Sequence, residues 1–111
     1  MNKDMVVIMI HEFTENNFKE MIQTGTVIVD FWAPWCGPCK AMNPVIEKIA
    51  NDNPDIKVGK VNIDEYPHIA REYNVLSIPT IIIFSDGKPY AQNIGIANES
   101  VIMEKIRGVD N

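Results

Sequence analysis

The sequence predicts an α/β sandwich. Three observations carry this reading. Strand-like and helix-like segments alternate along the whole chain, one strand-like segment is apolar almost throughout, and an Asp-Gly pair folds one late strand back on the next. At 111 residues the chain has room for one compact domain, 1–111, whose core needs no disulfide to hold it. No linker, low-complexity tract or internal repeat divides it.

The elements follow in order. Residues 5–10 (MVVIMI) read as a first strand. Phe13-Thr14 opens a helix with Thr14 as N-cap, Phe18, Met21 and Ile22 on one face, and Gly25 just past its end. Residues 26–32 (TVIVDFW) are rich in β-branched and aromatic side chains, the pattern of a central strand covered on both faces, with Asp30 the lone interruption. From Gly37 to about Asn51 apolar residues recur at helical spacing through Met42, Val45, Ile46 and Ile49, with Pro44 inside the helix as a kink. Residues 56–62 (IKVGKVN) form a third strand, and residues 67–73 a short helix begun by Pro67. Residues 80–84 (TIIIF) and 88–94 are strands joined by the hairpin signal Asp86-Gly87, so the last strand runs antiparallel to the fourth. A final helix over about 98–107 turns Val101, Ile102 and Ile106 to the core. The order βαβαβαββα joins a parallel half to an antiparallel hairpin half, with helices for both faces of one sheet.

Charge and hydropathy exclude several functions. Ten basic against 15 acidic residues give a formal net charge of -5, with no Lys/Arg cluster, so nucleic acid and anionic membrane surfaces are not expected partners. No apolar run approaches the roughly 18 residues of a membrane span. The run at 5–10 is too short for a signal-peptide core, and His11-Glu12 follows where a small-residue cleavage site would stand. Two cysteines without a disulfide framework then point to a reducing, cytoplasmic setting.

Those cysteines, Cys36 and Cys39, lie in WAPWCGPCK. A structural zinc site needs four ligands, and the two histidines, His11 and His68, stand in other segments, so no metal is expected. As a staple the pair closes too short a loop to matter, worth roughly 2 kcal/mol or less. A reactive pair fits the setting better. Cys36 falls at the junction of an apolar strand and a helix, where free N–H groups and the helix dipole favour a thiolate. A thiol of pKa about 8.5 is a few per cent ionised at neutral pH, whereas one lowered to about 7 is half ionised. Cys39, one turn on and deeper, suits attack on a mixed disulfide formed at Cys36. Gly37 permits close approach by another chain, and Pro38 pre-sets a helical φ.

VDFWAPWCGPCK, Pro44 within the next helix, KVNID at 60–64, SIPT at 77–80, Asp86-Gly87 and the late Gly95 together resemble the thioredoxin family over essentially the whole chain. The resemblance implies the thioredoxin fold, a central five-stranded mixed β-sheet flanked by four α-helices. It implies a general protein-disulfide reductase in which Cys36 is the nucleophile and Cys39 the resolving thiol. It also implies a thioredoxin reductase that restores the dithiol with electrons from NADPH, disulfide-containing client proteins, no cofactor bound by the chain itself, and a monomer. Gly-Pro between the cysteines accompanies reducing members of the superfamily, whereas a histidine there accompanies oxidising ones.

Three further residues have two readings each. Asp30 is either an edge or surface position, or a buried carboxylate, which costs several kcal/mol unless paired or neutralised. The resemblance implies the second, with a raised pKa and a proton relayed to and from Cys39 through water. Lys60 shares a strand face with Ile56 and Val58. It is either a stem whose ammonium reaches water or, as the resemblance implies, a partner that moderates Asp30. Pro79 either starts a strand or, as the resemblance implies, follows a cis peptide bond beside the cysteines, turning the Ile78 backbone toward a substrate strand. Trp35, Ile78, Gly95 and Ile96 would then rim a docking groove, with Trp32 packed beneath the active-site loop. Leu76 and Ser77 depart from the Arg-Gly or similar pair of many relatives, and Ile96 is bulkier than the usual alanine.

Overall fold

The computed structural model describes residues 9–109. Its elements run β1 (Ile10–Glu12), α1 (Phe18–Met21), β2 (Thr26–Trp32), α2 (Gly37–Asp52), β3 (Lys57–Asn62), α3 (Pro67–Glu72), β4 (Thr80–Ser85), β5 (Lys88–Ile94) and α4 (Glu99–Val109). The strands form one five-stranded sheet in the order β1-β3-β2-β4-β5. β1 and β2 both pair with β3 in parallel, while β4 pairs antiparallel with β2 and with β5. This is the mixed sheet with four helices that the sequence predicts. No helix among the described residues is long and apolar enough to cross a membrane.

β2 is central because its side chains satisfy both faces of the sheet. Val27, Val29 and Phe31 point to one side, where α1 and α3 bring Phe18, Ile22, Ile69 and Ala70. Ile28 points to the other, where α2 and α4 bring Met42, Ile46, Ile49, Ile102 and Ile106. Alternation places Asp30 on this second side, one pleat beyond Ile28. Each fully buried Val, Ile or Phe contributes roughly 1.5–3 kcal/mol, so β2 alone anchors both layers.

The first helix departs from the sequence reading. It begins at Phe18 with Asn17 before it, not at Thr14. Thr14 instead organises a turn. Its Oγ1 accepts from the Asn16 N–H at 3.2 Å, its carbonyl accepts from the Phe18 N–H at 3.0 Å, and its own N–H donates to Asn17 Oδ1 at 2.7 Å. Short polar side chains thus occupy backbone groups that a longer helix would need. Gly25 does not cap this helix either, which ends at Ile22. Gly25 has a positive φ of 74° in the turn before β2, where its N–H donates to Asp86 Oδ1 at 2.8 Å and its carbonyl accepts from the Asp86 N–H at 3.0 Å. The predicted first strand at 5–10 lies outside the described residues up to residue 8, and the strand that is described starts at Ile10.

The Asp86-Gly87 hairpin is as read. Both residues have positive φ, 48° and 86°, the pairing a type I′ turn requires, and Ser85 stands opposite Lys88. At the other end of the sheet Gly59 is required by contact. A Cβ built on it would lie 2.3 Å from the Phe13 ring, which fills the space over β3. Gly59→Ala is therefore expected to destabilise by about 1–3 kcal/mol, read as a lower denaturation midpoint. Gly37→Ala, where a Cβ meets nothing within 4 Å, should leave the midpoint nearly unchanged.

Candidate functional site

β2 leads into the site. Past Trp32 the chain buries Ala33, and the Cys36 N–H donates to the Ala33 carbonyl at 3.1 Å, which turns the chain into α2. Cys36 is the N-cap of that helix, with extended φ and ψ of -90° and 106°. Its Sγ accepts from the Cys39 N–H at 3.2 Å, the place a serine or aspartate oxygen usually takes. The first turn of α2 carries no acidic residue, and Pro38 lies within it, so nothing offsets the positive end of the helix at this sulfur. Cys36 and Cys39 are joined as a disulfide, with Cα atoms 5.3 Å apart. They are 4% and 2% exposed. Exposure hardly distinguishes them, and position on the helix does: Cys36 is the sulfur that accepts the helix N–H.

Asp30 is fully buried, and among the described residues neither carboxylate oxygen has a hydrogen-bond partner. The surface reading is thereby excluded. Burial pushes its carboxyl up from 3.8 to about 6, against the opposing pull of the Lys60 ammonium. Lys60 stands opposite Asp30 in the β2–β3 register, with Nζ 3.8 Å from Asp30 Oδ2. The same ammonium donates to Asn43 Oδ1 at 2.6 Å and sits 4.8 Å from the centroid of the Trp32 ring. It is turned inward among these groups, not released to water.

The Ile78–Pro79 peptide bond is cis, and β4 begins at the next residue, so the cis bond and the strand start occur together. The Gly95 N–H donates to the Pro79 carbonyl at 2.8 Å and Thr80 Oγ1 donates to the Ser77 carbonyl at 2.7 Å, which ties this corner to the end of β5. Ile78 packs against Ala33, Cys36 and Cys39, and among the described residues no other backbone group bonds its N–H or carbonyl. Beside it lies a groove of about 310 Å³ lined by Trp35, Ile63, Val75, Leu76, Ser77 and Ile78. Trp35, Leu76 and Ile96 are exposed apolar side chains. A Cβ on Gly37 or Gly95 would meet nothing within 4 Å, so both leave open space at the rim.

The structure thus gathers Trp32, Ile78 and the two cysteines into one cluster, with Asp30 and Lys60 joined to it through Trp32. Pro44 takes no part in this cluster. It lies further along α2 on an exposed face, where its missing N–H leaves the Lys40 carbonyl without its helical donor. Two contributors escaped the sequence reading. Asn43 anchors Lys60, and Asp64 accepts from Trp35 Nε1 at 3.1 and 3.0 Å through its two oxygens. The signal for Asn43 was its position four residues after Cys39, a polar side chain on the helix face that Met42 and Ile46 bury.

Comparison with known proteins agrees with this geometry. Residues 9–108 match the family model described as Thioredoxin. A thioredoxin of Chlamydia trachomatis serovar D is 40% identical over 98 residues, covering 88% of this chain and 96% of that protein. One from Staphylococcus haemolyticus is 43% identical over 96 residues, covering 86% and 92%. Among solved structures, a mutant thioredoxin from Halobacterium salinarum superposes with a TM-score of 0.84 at 28% identity, covering 92% of this chain and 90% of that one.

The buried carboxylate has a consequence for stability. Its folded-state pKa is raised, so the protonated form is favoured by folding; that stability is complete below pH 3.8 and is lost as pH rises through about 6. Asp30→Asn is expected to stabilise the protein at pH 7 by about 3 kcal/mol, a gain that shrinks as pH falls through about 6 and is gone below about pH 4 in parallel urea titrations.

Proposed function

The chain belongs to the thioredoxin family and is a dithiol-disulfide oxidoreductase acting through Cys36 and Cys39; we propose that it runs as a general reductant of protein disulfides. The observation that supports the order of attack is the Cys36 Sγ at the positive end of α2, where it accepts from the Cys39 N–H.

In the reduced protein the Cys36 thiolate attacks one sulfur of a client disulfide. The client S–S bond breaks, one client thiolate leaves, and a Cys36–client mixed disulfide forms. Asp30 then takes the Cys39 proton through water, and the Cys39 thiolate attacks Cys36 Sγ. The mixed disulfide breaks, the second client thiolate leaves, and the Cys36–Cys39 disulfide holds the two electrons' worth of oxidation. With a midpoint about 6, Asp30 is mostly ionised at pH 7 and can act as this base. Lys60 moderates it. Trp35, Gly37, Pro38, Ile78, Pro79, Gly95 and Ile96 form the face that receives the client, with the free backbone of Ile78 pairing to an extended client segment. A thioredoxin reductase returns the disulfide to the dithiol. The whole chain, 1–111, acts as a monomeric domain in the cytoplasm, a setting that keeps such a pair reduced.

Cys39→Ser is expected to accumulate covalent client complexes in a thiol-containing lysate, released by dithiothreitol, because the first attack proceeds and the second cannot. Cys36→Ser should form none and should reduce insulin no faster than dithiothreitol alone. Complexes trapped by Cys36→Ser in place of Cys39→Ser would reverse the assigned order.

A further inference from the structure

Asn43 lies one helical turn beyond Cys39 on α2, half-buried, with Oδ1 2.6 Å from Lys60 Nζ. This is closer than the 3.8 Å that separates the same ammonium from Asp30 Oδ2. An ammonium and a carboxylate joined by a charge-assisted hydrogen bond stand about 2.8 Å apart. Here the pair does not close, and both Asp30 oxygens are left without a hydrogen bond among the described residues. A shortage of donors is not the reason, since an ammonium carries three. The reason is position. The lysine stem starts from β3, and its head is fixed between the Asn43 amide on α2 and the Trp32 ring, 4.8 Å from the ring centroid.

Among the described residues, Lys60 is the charged group that acts on Asp30. β3 supplies Lys60, β4 supplies the apolar Ile81 in register, and α4 supplies the buried Ile102 and Ile106. α2 supplies Asn43 and, once the disulfide opens, the two thiols. We propose that Asn43 is a positioning residue whose amide oxygen holds the Lys60 ammonium back from Asp30, keeping that carboxylate free to exchange a proton near neutral pH. The inference rests on the reading that Asp30 serves the proton of Cys39, and it adds the element that sets how strongly Lys60 acts. Without the amide, Lys60 would close on Asp30 and favour its ionised form, so that about tenfold less of it would be protonated at neutral pH to return a proton when the reaction runs backward.

The test is the titration of the Asp30 carboxyl carbon by NMR in the wild type, Asn43→Ala and Asn43→Leu, each with the disulfide closed. Closing the gap from 3.8 Å to about 2.8 Å should lower the Asp30 midpoint from about 6 to about 5 in both variants. In a Lys60→Met background the same substitutions should leave the midpoint where Lys60→Met alone puts it. The acid limb of the pH profile for insulin reduction should move down with the midpoint, which a merely structural role for Asn43 would not produce. An Asp30 midpoint that is unchanged or raised in both variants overturns the proposal. Because the titration reads Asp30 directly, it answers whether or not the wild type reduces insulin, so failure of the oxidoreductase reading and failure of this inference are separate results.

Discussion

A carboxylate buried in the central strand is the constraint around which this molecule is arranged. Asp30 is fully buried and, among the described residues, without a hydrogen-bond partner, in a strand whose other buried residues are all apolar. Nothing about the sheet requires it, since an apolar residue there would pack more favourably. The surrounding residues make its presence tolerable without neutralising it. Lys60 stands near enough to oppose the desolvation and too far to form a hydrogen bond. The result is a group whose proton is loosely held near neutral pH, at the layer of the sheet from which α2 carries the cysteines.

The helix supplies the other half. Cys36 replaces the usual oxygen cap with a sulfur, so the backbone N–H that most helices satisfy with serine or aspartate is here directed at the Cys36 Sγ, where it favours negative charge. Cys39, three residues on, is the donor of that N–H and belongs to the helix itself. The two thiols therefore differ in electrostatics although they hardly differ in exposure. Around them the loops leave one face open, with Trp35 held by Asp64 on one side of the groove and the Pro79–Gly95 bond fixing the other. Leu76, 94% exposed, extends this face with an apolar side chain.

Much of this was legible in the sequence because each feature violated a local pattern. Asp30 broke an apolar strand, Lys60 broke an alternating one, and CGPC placed two thiols at a strand-to-helix junction. Strands β2 to β4 and helices α2 and α4 were legible because their apolar pattern holds over most of their length despite these interruptions. The start of α1 was not, because the Thr14 and Asn17 side chains take the N–H groups of Asn16 and Thr14 in a turn, while the Phe13 N–H bonds the distant Lys60 carbonyl. The cis bond at Pro79 came from family resemblance, as a proline at a strand start looks the same in either isomer. Asn43 and Asp64 were missed because their roles arise from partners distant in the chain, 17 and 29 residues away.

The central claim is that the environment assigns different tasks to two thiols of equal chemistry, with Asp30 acting on the second. Residue-resolved titration of both cysteines in the reduced protein, with and without the Asp30 carboxylate, tests it most directly. The account predicts that Cys36 ionises first, below the ordinary thiol value of about 8.5, and that removing the Asp30 charge lowers the Cys39 midpoint more than that of Cys36. Prior ionisation of Cys39, or a Cys39 midpoint indifferent to Asp30, would contradict it.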